Sequence, residues 1–248
     1  FTRERINNNS LHYMIISIIS IFDNLRSMKR SEINAAINTA KKMMDEYNWT
    51  LPKWGYWSME DYKSNPKMTK YLKDHQMGWD VTDFGKDNFN NQGITLFCIR
   101  NGIQSNVNDK PYAEKLLFMQ ESQEIPFHSH KIKLEDIINR GGGDLAIEFL
   151  EIDNKDQQLL KKITVLVDGK KIELDPYEPL ILKKGQSVTV ERNVYHKFYS
   201  VKGSGMVMAG EVSQVNDDNN DNYFLEKVGR FSEIQEDEPP LHPLWNEV

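Results

Sequence analysis

The sequence predicts a mainly β protein, a sandwich or closed barrel behind an N-terminal cover of helix and loop, and three observations support this. Beyond Gly93, short apolar or alternating runs recur at close spacing, turn residues separate them, and no long helical period interrupts them. Before Gly93 the pattern is different: one amphipathic helix precedes an aromatic-rich stretch without sustained period.

In chain order, the first distinctive run is Met14 to Phe22 (MIISIISIF). It is much shorter than the roughly 20 apolar residues that span a bilayer. Asp23 closes it, and no small-residue cleavage site follows, so it does not read as a signal peptide. Composition breaks at Met28, so residues 1–27 read as an upstream segment and Met28 as the natural start. An ordinary N-terminal helix packed on the domain is the alternative. From Ser31, the residues Ile33, Ile37, Ala40, Met44 and Tyr47 recur at helical spacing, with Ser31 placed to cap the first turn. Residues 49–92 hold Trp49, Trp54, Trp57 and Trp79 among scattered Pro and Gly. They read as short helices and loops covering a sheet, with the aromatics as core.

Strands are expected at 94–100, 113–119, 145–151, 163–167, 178–182, 187–191, 195–201 and 205–213, with turns at Asp168-Gly169 and Lys184-Gly185. The expected organisation is therefore a helical and loop cover over 28–92 and a barrel with a C-terminal extension over 93–248, together one structural domain. The 31 Lys and Arg are interleaved with 37 Asp and Glu for a net charge of −6, and no basic run exists to follow a phosphate backbone. Nucleic acid and membrane are thus not expected partners. The single cysteine, Cys98, has no intrachain disulfide partner, which fits a reducing cytoplasm.

Three of the six histidines fall in one pattern. His128-Ser129-His130 places two imidazoles two residues apart, on one face if the chain is extended there. Glu135 and Gly142 follow, and Gly185, Glu191, Asn193 and His196 recur in a later hairpin. Three imidazoles and a carboxylate suit Mn, Fe, Co, Ni or Zn and leave coordination positions open. A closed structural zinc site would need more thiolates than this chain has.

His128-x-His130-x4-Glu135-x6-Gly142 resembles the first cupin motif, and Gly185-x5-Glu191-x-Asn193-x2-His196 the second, except that Glu191 and Asn193 stand where Pro and Gly are common. The resemblance implies a cupin, jelly-roll-like barrel. It narrows with Gly78-Trp79-Asp80-Val81-Thr82, Tyr112-Ala113-Glu114-Lys115, the run from Glu135 to Gly143, Gly210-Glu211-Val212-Ser213 and Val215-Asn216-Asp217-Asp218. These are similar to the cupin-type D-lyxose ketol-isomerases, over about Met28 to Pro239. Where that family commonly carries aromatic and basic residues after the second metal histidine, this chain has Lys131 and Ile132.

The resemblance implies a Mn2+-dependent aldose–ketose isomerase, a cytoplasmic homodimer acting on a monosaccharide. The pair expected is D-lyxose and D-xylulose, with D-mannose and D-fructose left open, through a cis-enediol. His128, His130, Glu135 and His196 would hold the metal and Glu211 would be the base. Val207 and Ala209 share the face of Glu211 and are small enough to leave room for a sugar. Lys133, lying between His130 and Glu135, must sit near the metal, where a cation can stabilise an enediolate oxygen or donate a proton. Lys115 and Asp218 are expected to contact substrate. The competing readings are an Fe(II) cupin dioxygenase, which would consume O2, and a non-catalytic sugar-binding or regulatory cupin, which has no need for a base at Glu211.

Overall fold

A computed structural model describes residues 27–153 and 157–248, so the expectations for Met14 to Phe22 lie outside the described residues. Helix α1 spans Arg30–Glu46, a 3-10 turn Lys53–Tyr56, α2 Met59–Ser64 and α3 Pro66–Asp74. The strands are β1 Ser27–Lys29, β2 Gly78–Thr82, β3 Ile94–Arg100, β4 Tyr112–Met119, β5 Glu124–Ser129, β6 Glu135–Gly142, β7 Leu145–Ile152 and β8 Gln158–Leu159. They continue with β9 Ile163–Val167, β10 Lys170–Leu174, β11 Leu180–Leu182, β12 Ser187–Val190, β13 Tyr195–Ser200, β14 Val207–Gln214, β15 Tyr223–Phe224 and β16 Glu233–Gln235.

Two antiparallel sheets face each other. The larger runs β10-β9-β12-β6-β14-β4-β3-β2, and the smaller β11-β7-β13-β5-β15 with β8 beside β7. Their inner faces enclose Leu96, Leu117, Met119, Ile137, Ile147, Phe149 and Phe198. Alternation decides which side chains enter: on β4, Leu117 and Met119 face inward, while Leu116 and Phe118 face a second core on the outside of the sheet. Lys115 and Glu211 therefore share the interior face with Leu117 and Ala209, and they sit opposite each other in the β4–β14 register.

The second core is where the cover packs. α1 buries Ile33, Ile37, Ala40 and Met44, as their helical spacing predicts, against Trp79, Phe97, Leu116 and Phe118. Trp54 and Trp79 are buried in this cluster and Trp49 and Trp57 pack against it, so the aromatics are core, as expected. The helix begins one residue before the expected cap. The Glu32 carboxylate reaches back to the Lys29 N–H at 2.9 Å, whereas the Ser31 N–H and hydroxyl both donate to Asp237. Ser31 is thus spent on the C-terminal segment, which latches onto α1 a second time through Arg30, paired with Glu236 and Glu247. It does so a third time through Asn34, bonded to Glu238 and Leu241.

Within 49–92 the loop-and-helix expectation fails at one place. Gly78–Thr82 is an edge strand of the large sheet, buried at all five positions. Covered on both sides, it shows no alternation to read. β5 and β6 also stand outside the expected series because His, Ser, Glu, Asp and Asn interrupt their apolar pattern. The turn expectations hold: Asp168 and Gly169 take φ of 47° and 82° in the two-residue link between β9 and β10.

Gly142 ends β6 at φ +84°, where a Cβ would lie 2.0 Å from the Met206 carbonyl oxygen, and its N–H donates to the Tyr47 hydroxyl. Gly142→Ala should combine a left-handed backbone penalty with a clash against main chain. We expect a loss of about 2 kcal/mol or more in denaturant unfolding; unchanged stability would show that the sheet edge here relaxes freely.

Candidate active site

Three strands and the residue that follows one of them bring the histidine and glutamate cluster together. β5 carries His128 and ends just before His130, β6 opens with Glu135, and His196 on β13 lies directly across from His128. One donor atom from each of the four falls within 4.8 Å of the others, and all four residues are buried. The backbone turn that shapes the later motif also explains its departure from the common pattern. Asn193 takes φ +64°, a conformation Asn tolerates better than most residues, and its N–H donates to the His130 carbonyl at 2.7 Å.

The orientation of the rings suits a cation. Each Nδ1 lies against a backbone carbonyl, His128 on Pro126 at 2.8 Å, His196 on Val194 at 3.1 Å and His130 on Asp221. A carbonyl only accepts, so each Nδ1 carries the hydrogen and a neutral ring presents a bare Nε2. Burial, aided by the neighbouring imidazoles, pushes His128 well below the usual imidazole range, and burial with Lys133 lowers His130, so both are neutral. The Nε2 atoms of His130 and His196 and the Glu135 Oε1 have no hydrogen-bond partner, although His196 Nε2 stands only 2.9 Å from that oxygen. Acceptor thus faces acceptor in a buried space, an arrangement that a divalent cation would resolve.

Beside the cluster lies a charged row. Lys133 Nζ is 2.8 Å from Glu135 and 2.7 Å from Glu211. Lys115 Nζ donates to Asn216 Oδ1 at 2.6 Å and stands 3.4 Å from Glu211 and 3.8 Å from Asp218. Arg230 pairs with Asp218 at 3.1 Å and Asp80 at 2.7 Å. Burial alone would raise the carboxylates, but the ammonium groups outweigh it. Glu135 falls well below its usual range through Lys133 and His130, and Glu211 is lowered through Lys115 and Lys133. Asp218 is lowered by Arg230 and the lysines against the same burial penalty. Burial likewise opposes the charge on Lys133, yet its two carboxylates raise it, so it stays an ammonium. Asp80 goes the other way, raised by burial despite Arg230.

A cavity of about 50 Å³ is bounded on one side by Lys115, His128, His130, Lys133, Glu211, Asp218 and Arg230. Phe84, Leu96, Leu117, Phe198 and Phe224 are among the residues forming the other side. All eight residues singled out in the sequence thus gather in one place. Glu211 lies on a central strand, only 5 % exposed. Val207 and Ala209 share the interior face with Glu211, as expected, but are packed in the barrel core, and Glu211 alone represents β14 at the cavity wall. Lys131 and Ile132 also stay off it, Lys131 resting 4.0 Å above the Tyr223 ring and Ile132 exposed. Sequence reasoning missed Arg230, Asp80, Asn216 as a lysine acceptor, and Asp221. The available signal was that Asp80 and Asn216 both lie in the runs that carry the family resemblance.

Facing antiparallel sheets with three imidazoles and a carboxylate between them, a set that could hold a metal ion, define a cupin. Residues 28–248 match the family model described as D-lyxose isomerase, and the chain belongs to that family. It is 38% identical to the D-lyxose/D-mannose isomerase of Escherichia coli O157:H7 over 222 residues, 89% of this chain and 98% of that one. It is equally similar to the D-lyxose/D-mannose isomerase of Serratia proteamaculans, again over 89% of this chain and 97% of the relative. Among solved structures, L-ribose isomerase of Cellulomonas parahominis with L-ribose superposes with a TM-score of 0.56 at 14% identity, covering 85% of this chain and 100% of that one. L-ribose isomerase of Acinetobacter sp. DL28 in complex with L-ribose gives 0.57 at 13% identity, covering 85% and 99%. At that identity the likeness speaks for the cupin fold. No helix among the described residues is long and apolar enough to cross a membrane.

Proposed function

We propose that the protein is a metal-dependent aldose–ketose isomerase that interconverts D-lyxose and D-xylulose, with D-mannose and D-fructose as a second pair. The observation that carries this is the placement of Glu211 and Lys133 in the same cavity wall as His128 and His130, with Lys133 also paired to Glu135 of the cluster. Family membership and the D-lyxose/D-mannose names of the two relatives point to the substrates. A sugar-binding module gives no reason to bury an ion pair of this kind beside the cluster, and nothing in the family match favours oxygen chemistry.

His128, His130, Glu135 and His196 would hold the cation, and the mixed nitrogen and oxygen set is compatible with Mn2+, which we take as the resident ion, as well as Fe2+, Co2+, Ni2+ or Zn2+. When bound, it supplies Lewis acidity that polarises the carbonyl of an open-chain sugar. The remaining chemistry falls to the side chains. Glu211, ionised at rest, takes the proton from C2 of the aldose and returns it to C1 while the O2 hydroxyl proton passes to O1, forming and consuming a cis-enediol. Lys133, held as an ammonium, directs hydrogen bonds to the oxygen on which charge develops. As Lys133 turns toward the sugar it releases its hold on Glu211, whose basicity then rises toward that of an unpaired buried carboxylate. Lys115 and Asp218 offer a donor and an acceptor to sugar hydroxyls, and the apolar side accommodates C–H surface. Residues 28–248 act as one unit in this proposal, because α1 and the C-terminal segment brace the sheet that carries Lys115 and Glu211. A cytoplasmic homodimer completes the proposal, its location resting on the lone buried Cys98 and its assembly on family likeness.

Two substitutions separate the roles. His196→Ala removes one donor of the four, and elemental analysis should find most of the metal lost from a protein that still folds; full stoichiometry would remove His196 from the ligand set. Glu211→Gln keeps the shape and removes the base. Its kcat for D-lyxose should fall by about 10²-fold or more with metal content unchanged, and a near-normal rate would refute the assignment.

A further inference from the structure

The segment from Asp217 to Arg230 crosses the mouth of the barrel as a strap and brings Asp218, Asn222, Phe224 and Arg230 to the cavity. It is fastened by short pieces of regular structure. Tyr223 and Phe224 pair with Ser129 and His128, the Leu225 N–H donates to the Phe127 carbonyl at 2.8 Å, and Gly229 donates to the Phe84 carbonyl at 3.0 Å. The firmest attachment is Asp221, 2 % exposed.

Asp221 does two things at once. Its carboxylate collects three successive backbone N–H groups: Oδ1 accepts from Lys131 at 2.8 Å and Ile132 at 3.2 Å, while Oδ2 accepts from Ile132 at 3.2 Å and Lys133 at 3.0 Å. Successive amides turned toward one anion form a concave cradle, and here the anion is built in. The cradle is the turn joining His130 to Glu135, and it aims Lys133 at both carboxylates. Asp221 also receives the His130 Nδ1 hydrogen on its own backbone carbonyl, which fixes that ring's tautomer and orientation. One residue, distant in sequence, therefore sets the direction of a cluster histidine and the position of the bridging ammonium.

We propose that Asp221 is a positioning residue that couples metal binding at His130 to the placement of Lys133 and to the closure of the strap carrying the sugar-facing residues. The proposal rests on the metal-isomerase reading given above. Its consequence is an order of events: seating the cation fixes His130, fixes the Asp221 peptide through it, and so sets the strap before sugar arrives.

Asp221→Asn tests it, because both oxygens are occupied and an amide NH2 would have to face a backbone N–H. Mn2+ titration of metal-stripped, full-length protein should show affinity about 10- to 100-fold weaker than wild type. At saturating Mn2+, kcat should remain about 10-fold or more reduced, because Lys133 stays misplaced even when His130 is ligated. A purely structural role would lower the melting temperature and leave Mn2+ affinity of the folded protein and kcat at saturation unchanged, and that result would overturn the proposal. Hydrogen exchange on the wild type decides the matter if the variant does not fold. Amides of Lys131 to Lys133 and of the strap should gain protection together when Mn2+ is added, and a strap indifferent to Mn2+ would overturn the coupling. Wild type that binds Mn2+ and isomerises D-lyxose while the variant matches it defeats the Asp221 assignment alone. Wild type that binds none of Mn2+, Fe2+, Co2+, Ni2+ and Zn2+ defeats the proposed function and this inference with it.

Discussion

Inside the barrel, one ammonium group holds two carboxylates. Lys133 Nζ sits 2.8 Å from Glu135 and 2.7 Å from Glu211, with all three side chains nearly inaccessible to water. Ionised carboxylates removed from solvent carry a desolvation cost of several kcal/mol each, and breaking such a pair by removing one partner typically costs about 3–5 kcal/mol. Without the ammonium, burial would push Glu135 and Glu211 upward, opposed at Glu211 by Lys115, and a protonated Glu135 is a poor metal ligand while a protonated Glu211 is no base. The same contact thus keeps both groups in the charge state their proposed roles require, and it links the cation to the site of proton transfer.

The fold exists around that contact. Lys133 comes from a turn, Glu135 from the first residue of β6 and Glu211 from β14, and β6 and β14 are hydrogen-bonded neighbours in the large sheet. Alternation along β4 and β14 puts Lys115 and Glu211 on the interior face, beside the apolar Leu117 and Ala209. The outer face of the same sheet is covered by α1, which the C-terminal segment clamps through Arg30 and Asn34. Residues far from the cavity therefore determine how firmly Lys115 and Glu211 are held.

The histidine and glutamate cluster was more legible in the sequence than the walls around it. Histidine, glutamate and glycine at fixed spacings are short-range patterns, because a strand imposes a two-residue period and a hairpin fixes its own register. His128, His130, Glu135 and His196 could be grouped on that basis, and Glu211, Lys115 and Asp218 entered through the family likeness. Arg230 and Asp221 could not be found in this way. They lie in an irregular strap whose position follows from contacts made across about ninety residues of chain, as with Asp221 and the 131–133 turn. β2 was hidden for a different reason: burial on both faces erases the alternation that betrays a strand. Ser31 was misassigned because a local capping signal lost to a distant carboxylate, Asp237.

In the proposed reaction a proton, carried by Glu211, moves between C2 and C1 of the sugar. The most direct measurement is the isotopic content of the product when metal-loaded protein converts D-lyxose in D2O to equilibrium. Repeated forward and reverse passages give the proton on Glu211 many chances to exchange with solvent. Proton transfer through Glu211 should leave deuterium at C1 of the ketose and C2 of the recovered aldose. A sugar pool that reaches equilibrium free of carbon-bound deuterium would contradict it and favour direct transfer of hydride between the two carbons.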